Sequence, residues 1–133
     1  MNTQFSVSIH ILSLLAMEKE PISSQYIASS INSNATLVRK LCRSLKKGNY
    51  IQSSQGISGY SLSCKVDDIA LGNLYELIFS EMSHFAKIHT NTNTNCPVGK
   101  NISHALDAIY SDVDKTIINK LNTYTIKDVI DQF

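Results

Sequence analysis

The sequence lacks the features that mark membrane-spanning and secreted proteins. No stretch of about eighteen residues is continuously apolar, so we expect no membrane-spanning helix. The apolar residues 5–17 have no basic segment before them, which disfavours a secretory signal. The three cysteines, Cys42, Cys64 and Cys96, are odd in number and widely separated, which favours a reducing compartment over a disulfide framework. We therefore expect a cytoplasmic protein with no membrane partner.

Motifs of the common enzyme classes are missing as well. The chain contains no Gly-x-Ser-x-Gly, no P-loop and no GxGxxG sequence. His84, His89, Cys96 and His104 are residue types that bind zinc, but their spacing matches no common zinc motif and the chain has no CxxC or HxxxH pair. We therefore expect neither catalysis nor a metal site, and we interpret these histidines as surface or loop residues.

What the chain does have is the length of one domain and an uneven distribution of charge. Its 133 residues carry a net charge of +1. Residues 1–66 contain seven basic and two acidic side chains, whereas residues 67–133 contain five basic and nine acidic ones. A basic cluster in one half of a chain is typical of a surface that binds a polyanion, although an ordinary solvated helix face is the alternative.

Helical periodicity predicts three helices in the first fifty residues. Apolar residues at helical spacing predict a first helix over residues 5–16, and Pro21 prevents its continuation. Ser23 is predicted to be the N-cap of a short second helix, and Asn34 that of a third. Two helices joined by so short a turn indicate a helix-turn-helix unit, in which the second helix enters the major groove of DNA.

The third predicted helix, residues 35–47, has two distinct faces. Val38, Leu41, Cys42 and Leu45 recur at helical spacing and predict a buried stripe. The other face is polar and mostly basic, and consists of Thr36, Arg39, Lys40, Arg43 and Lys47. This face is the candidate for contact with DNA.

A change of period predicts a β-hairpin after the third helix. Residues 50–53 and 60–63 read as short strands, and Gly56 and Gly59 supply the positive φ angles that a hairpin loop needs. A hairpin directly after a helix-turn-helix is a wing. The predicted fold is therefore mainly α with a small β-hairpin wing.

The second half predicts a fourth helix at residues 69–79, a loop at residues 80–95 and a long helix from Pro97 to about residue 122. The apolar residues of the long helix repeat at steps of three and four and form a seam: Ile102, Leu106, Ile109, Val113, Ile117 and Leu121. In so small a chain this seam needs a partner surface, either a second copy or the chain's own domain. Thr125 and Asp128 predict the start of a last short helix.

Six segments resemble a known family. They are residues 5–14 (FSVSIHILSL), 33–41 (SNATLVRKL), 45–51 (LKKGNYI), 56–60 (GISGY), 69–75 (IALGNLY) and 95–100 (NCPVGK). Together they resemble the Rrf-two family of bacterial winged-helix transcription regulators, and its small YwnA-type members most of all. The resemblance implies a DNA-binding homodimer that is joined by the long helix and senses its signal in the linker before that helix.

Two departures from the family pattern change what we expect. Gln55 stands where the family's wing often carries an arginine, so insertion of a wing arginine into the minor groove is not expected. Cluster-binding members place three cysteines close together in the linker, whereas this chain has only Cys96 there. We therefore expect no iron–sulfur cluster and no other cofactor.

Together these features predict a homodimeric, sequence-specific DNA-binding repressor with a near-palindromic operator. The segments would be a winged helix-turn-helix region (1–66), a connecting helix with a sensor loop (67–95) and a dimerisation helix with a C-terminal helix (96–133). Cys96 is the predicted sensor of an oxidant or small molecule. The predicted DNA contacts are Ser23, Gln25, Asn34, Thr36, Arg39, Lys40, Arg43, Lys47, Gln55, Gly56, Gly59 and Tyr60. The alternatives are a winged-helix module that binds a protein and a metal-responsive regulator that uses the linker histidines.

Overall fold

The computed structural model describes residues 3–53, 56, 58–80 and 84–133. Its elements are α1 (Gln4–Met17), α2 (Ser24–Ile31), α3 (Ala35–Lys47), β1 (Ile51–Gln52), β2 (Ser61–Leu62), a 3-10 turn (Val66–Asp68), α4 (Leu71–Ile78), α5 (Pro97–Leu121) and α6 (Ile126–Ile130). Within the described residues, no helix is both long and apolar enough to cross a membrane. The predicted order of helices and hairpin is confirmed.

The helix-turn-helix begins and turns at the predicted capping residues. The Ser23 hydroxyl accepts a hydrogen bond from the Tyr26 backbone N–H at 3.1 Å, and the Asn34 side-chain oxygen accepts one from Leu37 N–H at 2.8 Å. Each bond satisfies one of the N–H groups that a helix leaves unpaired in its first turn. Between the two helices, Asn32 adopts a left-handed conformation with φ 59°, which turns the chain sharply.

The wing is a two-stranded antiparallel hairpin with an additional partner that the sequence did not reveal. Ile51 pairs with Leu62 and Gln52 with Ser61. Beyond β2, Tyr60 pairs with Ile22, which lies between α1 and α2. The segment before the helix-turn-helix therefore extends the sheet by one bridge.

Helix α1 lies at the centre of the core and contacts α2, α3, α4 and α6. Its residues Ile11, Leu12 and Leu15 are buried against apolar residues from most of the other elements: Ile22, Ile27, Ala28, Val38, Leu41, Cys42, Leu45, Ile51, Ile69, Leu71, Leu74 and Ile126. Burial of this apolar surface is the main stabilising term of the fold. Since α6 contributes Ile126, the end of the chain shares the core of the winged helix.

Helix α4 begins two residues later than predicted because Ile69 ends the 3-10 turn and Ala70 is extended. The N–H of Ile126 donates to the Ile69 carbonyl at 3.1 Å, and Ala70 forms a β-bridge with Thr125. Helix α4 then packs so closely on α5 that a Cβ atom on Gly72 would overlap the Ile118 carbonyl oxygen. The start of α4 is therefore fixed by the end of the chain, which local periodicity cannot show.

Helix α5 has 25 residues, and none of them is fully buried. The predicted seam is half-buried at Ile102, Leu106, Val113, Ile117 and Leu121 and open at Ile109, whose side chain is 58% exposed. Leu121 packs on the core, whereas α5 meets α4 through the neighbouring face that carries Ile118. Ile109 is therefore the seam residue that no element of the described chain covers.

Candidate nucleic-acid interface

The outer face of α3 is exposed and positively charged. Thr36, Arg39, Lys40, Arg43 and Lys47 are all exposed, while the opposite stripe is buried in the core. No carboxylate in the described part of the chain forms an ion pair with any of these basic residues. Their charges are therefore available to an external anion, and their Coulomb attraction acts over about 10 Å at moderate salt.

Three of the predicted contact residues lie at the starts of α2 and α3. Ser23 and Asn34 each use a side-chain oxygen as a cap, so their first role is to hold the starts of α2 and α3. Gln25 is exposed in the first turn of α2. The first turns of both helices present backbone N–H groups and a partial positive charge, which suit phosphate oxygens.

Tyr60 joins the wing to the basic face. Burial raises the pKa of its phenol and Cys42 adds to the rise, whereas the guanidinium groups of Arg39 and Arg43 lower it. Because both guanidinium groups act on its phenol, the half-buried Tyr60 lies within electrostatic reach of Arg39 and Arg43. Of the other predicted wing residues, Gly56 and Gly59 have positive φ angles of 81° and 123°, and Gln55 lies outside the described residues.

Lys46 forms a contact that sequence reasoning missed. Its Nζ donates to the Ser53 hydroxyl at 2.6 Å, which ties the last turn of α3 to the residue after β1. The two residues are seven apart on either side of a turn, and no motif links them. Lys46 therefore supports the wing, in contrast to its neighbour Lys47, for which the described residues show no such bond.

Cys96 lies at the N-cap of α5, and its side chain is exposed. The first-turn N–H groups of Gly99 and Val98 lower the pKa of its thiol, and desolvation opposes them. Burial raises the pKa of Cys42 to about 11, and burial followed by the charge of Asp68 raises that of Cys64. Of the three thiols, Cys96 combines the greatest access with the greatest tendency to ionise.

The loop before Cys96 is packed on the first turn of α5. The backbone N–H of Cys96 donates to the Asn93 carbonyl at 3.2 Å, and the Thr92 hydroxyl donates to the Gly99 carbonyl. A Cβ atom on Gly99 would overlap the Asn93 carbonyl oxygen. The asparagine- and threonine-rich tract therefore forms a defined contact beside the thiol.

One linker histidine is not at the surface. His84 lies in the loop after α4, as expected, but only 7% of its side chain is exposed. Its Nδ1 is 2.7 Å from an oxygen of Asp114, and its Nε2 is 2.8 Å from an oxygen of Asp107. The two carboxylates stand two turns apart on α5, and His84 is more than twenty residues away along the chain, so spacing gave no signal for this contact. His89 and His104 are exposed, as expected.

Comparison with known proteins identifies the family. Residues 1–132 match the model of the Rrf2 family, described as iron-dependent transcriptional regulators. This chain belongs to the Rrf2 family. The inference from its helix-turn-helix, wing and linker segments is confirmed.

Individual relatives agree with this assignment. YwnA of Bacillus subtilis, named as a candidate HTH-type transcriptional regulator, is 40% identical over 129 residues, which cover 97% of this chain and 96% of YwnA. A crystal structure of a candidate DNA-binding protein is 36% identical, with a TM-score of 0.74 and coverage of 96% of this chain and 98% of that one. CymR, the global cysteine regulator of B. subtilis, shares the fold with a TM-score of 0.69 at 18% identity, over 100% and 97% of the two chains. The protein is thus a transcriptional regulator and not an enzyme.

The family description mentions iron, but the side chains of this member do not fit an iron–sulfur cluster. Cys42 is buried on α3, Cys64 follows β2 and Cys96 begins α5, so the three thiols lie on separate elements. A cluster needs several thiolates that converge on one point. In the described part of the chain, no group of three or more His, Cys, Asp or Glu side chains is arranged to hold a metal ion.

Proposed function

We propose that this Rrf2-family member is a cytoplasmic, homodimeric repressor that binds a near-palindromic DNA operator. The observation that carries the proposal is the exposed basic face of α3, which is free of ion pairs among the described residues and lies beside the wing. In this assignment residues 1–66 bind DNA, residues 67–95 carry the sensor loop and residues 96–133 join the subunits.

The position of each residue decides whether its proposed contact is with a base or with the DNA backbone. Arg39, Lys40 and Arg43 occupy the middle of α3 and would reach base edges in the major groove, where arginine reads guanine. Lys47, at the end of α3, would contact phosphate. Ser23, Gln25, Asn34, Thr36 and the wing residues Gln55, Gly56, Gly59 and Tyr60 would position the module on the backbone.

Dimerisation is proposed through the seam of α5. The seam residues would pack on the same residues of a second copy, in a two-fold arrangement that uses one patch twice. Ile109 is exposed, and Ile102, Leu106, Val113 and Ile117 are half-buried. Two recognition helices related by that axis would meet two half-sites. The operator would therefore be close to palindromic.

Cys96 is proposed to control DNA binding. Its thiol is exposed and its pKa is lowered by the first turn of α5, so an oxidant or electrophile would modify it before the other two thiols. Modification at the start of α5 would alter the helix that joins the subunits and thus the spacing of the recognition helices. The test is operator binding by wild type and Cys96→Ser, each treated with diamide or hypochlorite and then dithiothreitol. An equal response of the two proteins would remove Cys96 from the switch.

Selection of sites from random duplexes tests DNA binding itself. We expect one preferred, near-palindromic sequence, and an affinity that falls steeply with salt. The double variant Arg39→Ala/Arg43→Ala should lose the preferred sequence. Lys87→Ala/Lys115→Ala removes the same number of exposed charges from the other half of the chain and should bind as wild type does.

Two outcomes would contradict the proposal. Undiminished binding by the Arg39→Ala/Arg43→Ala variant would show that α3 does not read DNA. Absence of any preferred duplex, together with a basic face that binds an acidic protein, would favour the protein-interaction alternative.

A further inference from the structure

Three side chains bridge the loop after α4 to the long helix. His84 lies between Asp107 and Asp114 with both ring nitrogens within 2.8 Å of carboxylate oxygens. The second oxygen of Asp114 accepts the backbone N–H of Phe85 at 2.8 Å. We call His84, Asp107 and Asp114 the His84 bridge.

The geometry of the bridge depends on a proton. An ionised carboxylate only accepts hydrogen bonds, and a neutral imidazole has a single N–H to donate. Both bonds therefore form only when the ring is the imidazolium ion. In the neutral ring, one nitrogen lone pair would face a carboxylate oxygen at under 3 Å, which is a repulsive contact.

The surroundings favour the protonated ring. The hydrogen bonds of Asp107 and then Asp114 raise the pKa of His84 above its ordinary value of about 6.5, and desolvation opposes them. From α5, Tyr110 also packs its ring edge-on to His84 at 5.8 Å. From α4, Tyr75 and Glu76 line a cavity of about 320 Å³ next to the ring. No lysine or arginine in the described residues pairs with the two aspartates.

We propose that the His84 bridge is a proton-dependent latch, which holds the sensor loop on α5 while the ring is protonated and releases it as the pH rises. As the pH rises through the pKa of His84 in the folded protein, the ring loses a proton and one of its two bonds. The stability that the bridge contributes is thus complete below the pKa of the unfolded state and is lost above the raised folded value.

Release of the loop would also affect the proposed subunit interface, and this effect rests on the proposed function. Tyr110 packs on both His84 and Phe85, with the Phe85 ring at 5.0 Å. It lies one helical turn from the seam residues Leu106 and Val113 on α5. Loss of the bridge would free the Tyr110 side chain at the border of the seam and so disturb the proposed subunit interface. Operator affinity is therefore expected to fall as the pH rises.

The first test needs no DNA. In an NMR titration of the full chain, the His84 ring should lose its proton above the ordinary imidazole value of about 6.5. Over the same range the Phe85 amide should lose protection against hydrogen exchange, measured relative to its intrinsic exchange rate at each pH. Asp107→Asn should lower the pKa of His84, because it replaces the carboxylate beside Nε2 with a neutral amide. Asp107 is 66% exposed, so this change leaves the core intact. Titration of His84 at or below the ordinary imidazole value of about 6.5 would overturn the latch.

The second test measures operator affinity between about pH 6.5 and pH 9. The operator affinity of wild type should fall by about fivefold or more as the pH rises. The control variant His104→Gln should show the same fall. His84→Gln should be weak and nearly independent of pH. A constant wild-type affinity despite a confirmed His84 titration would overturn the regulatory role. If neither wild type nor the variants bind DNA at any pH, the proposed function is contradicted. The latch itself is decided by the NMR result alone.

Discussion

The backbones of Tyr60 and Ile22 are hydrogen-bonded in both directions, Ile22 N–H to Tyr60 carbonyl at 2.9 Å and Tyr60 N–H to Ile22 carbonyl at 2.8 Å. Ile22 directly precedes Ser23, the N-cap of α2, and Tyr60 lies within electrostatic reach of the arginines of α3. One bridge thus fixes the base of the wing to the start of the helix-turn-helix. The two parts of the proposed DNA surface are held as one unit.

The first prediction concerns the glycine next to this bridge. Gly59 has φ 123°, and a Cβ atom there would lie 2.8 Å from the carbonyl carbon and oxygen of Ile22. Gly59→Ala should therefore lower the free energy of unfolding by roughly 3–4 kcal/mol, through backbone strain and overlap together. Urea denaturation of the purified variant measures this change.

Gly56→Ala is the matched control, since Gly56 also has a positive φ, 81°, but has open space around the Cβ position. It should cost about 1–2 kcal/mol, from backbone strain alone. Equal losses of stability in the two variants would show that contact with Ile22 does not constrain the wing.

The second prediction separates the two lysines at the end of α3. Lys47→Ala should weaken binding to all duplexes alike and reduce the slope of affinity against salt by about one. Lys46→Ala should also disturb the wing, because its Nζ donates to Ser53. In a double-mutant cycle, Ser53→Ala should weaken binding in the presence of Lys46 and have little further effect in Lys46→Ala. Additive effects would exclude a coupling between this lysine and the wing.

Local signals were enough to predict the helix-turn-helix and its boundaries. The apolar stripe of α3, the caps Ser23 and Asn34 and the capping box of Thr125 and Asp128 lie within a few residues of the structures they set. In each case the partner is one turn away, so the pattern is visible in the sequence. The seam of α5 is visible for the same reason.

Contacts between distant segments could not be predicted. Ile22 follows a proline and belongs to no alternating run, so nothing indicated its pairing with Tyr60. The start of α4 depends on the pairing of Ala70 with Thr125. The position of the His84 ring depends on its contacts with two carboxylates of α5. Each of these features is decided by tertiary packing, which joins residues 23 to 55 positions apart along the chain.

The third prediction tests the seam of α5. Ile109 is the most open of the seam residues, so Ile109→Asp should leave the fold of one chain intact and place two charges in the proposed interface. We expect the dimer to weaken by roughly a hundredfold, about 3 kcal/mol. Ala108→Asp adds the same charge at the adjacent exposed position, away from the seam, and should remain dimeric. Light scattering that gives the mass of one chain for unmutated protein at micromolar concentration would contradict the dimer.

The fourth prediction ranks the three thiols by their reaction with iodoacetamide. The thiolate is the reactive form, so a thiol with a lowered pKa reaches its full rate at a lower pH. Cys96 should be alkylated first and reach its full rate at a lower pH than an ordinary thiol. Cys64 should react more slowly and at higher pH, because burial and Asp68 raise its pKa. Cys42 is buried with a pKa of about 11 and should react only on unfolding.

Peptide mass spectrometry over time and pH measures all three rates in one sample, and Cys96→Ser should abolish the fast phase alone. A fast phase that persists in this variant would move the reactive thiol to Cys64 and place it beside the wing instead of at the start of α5.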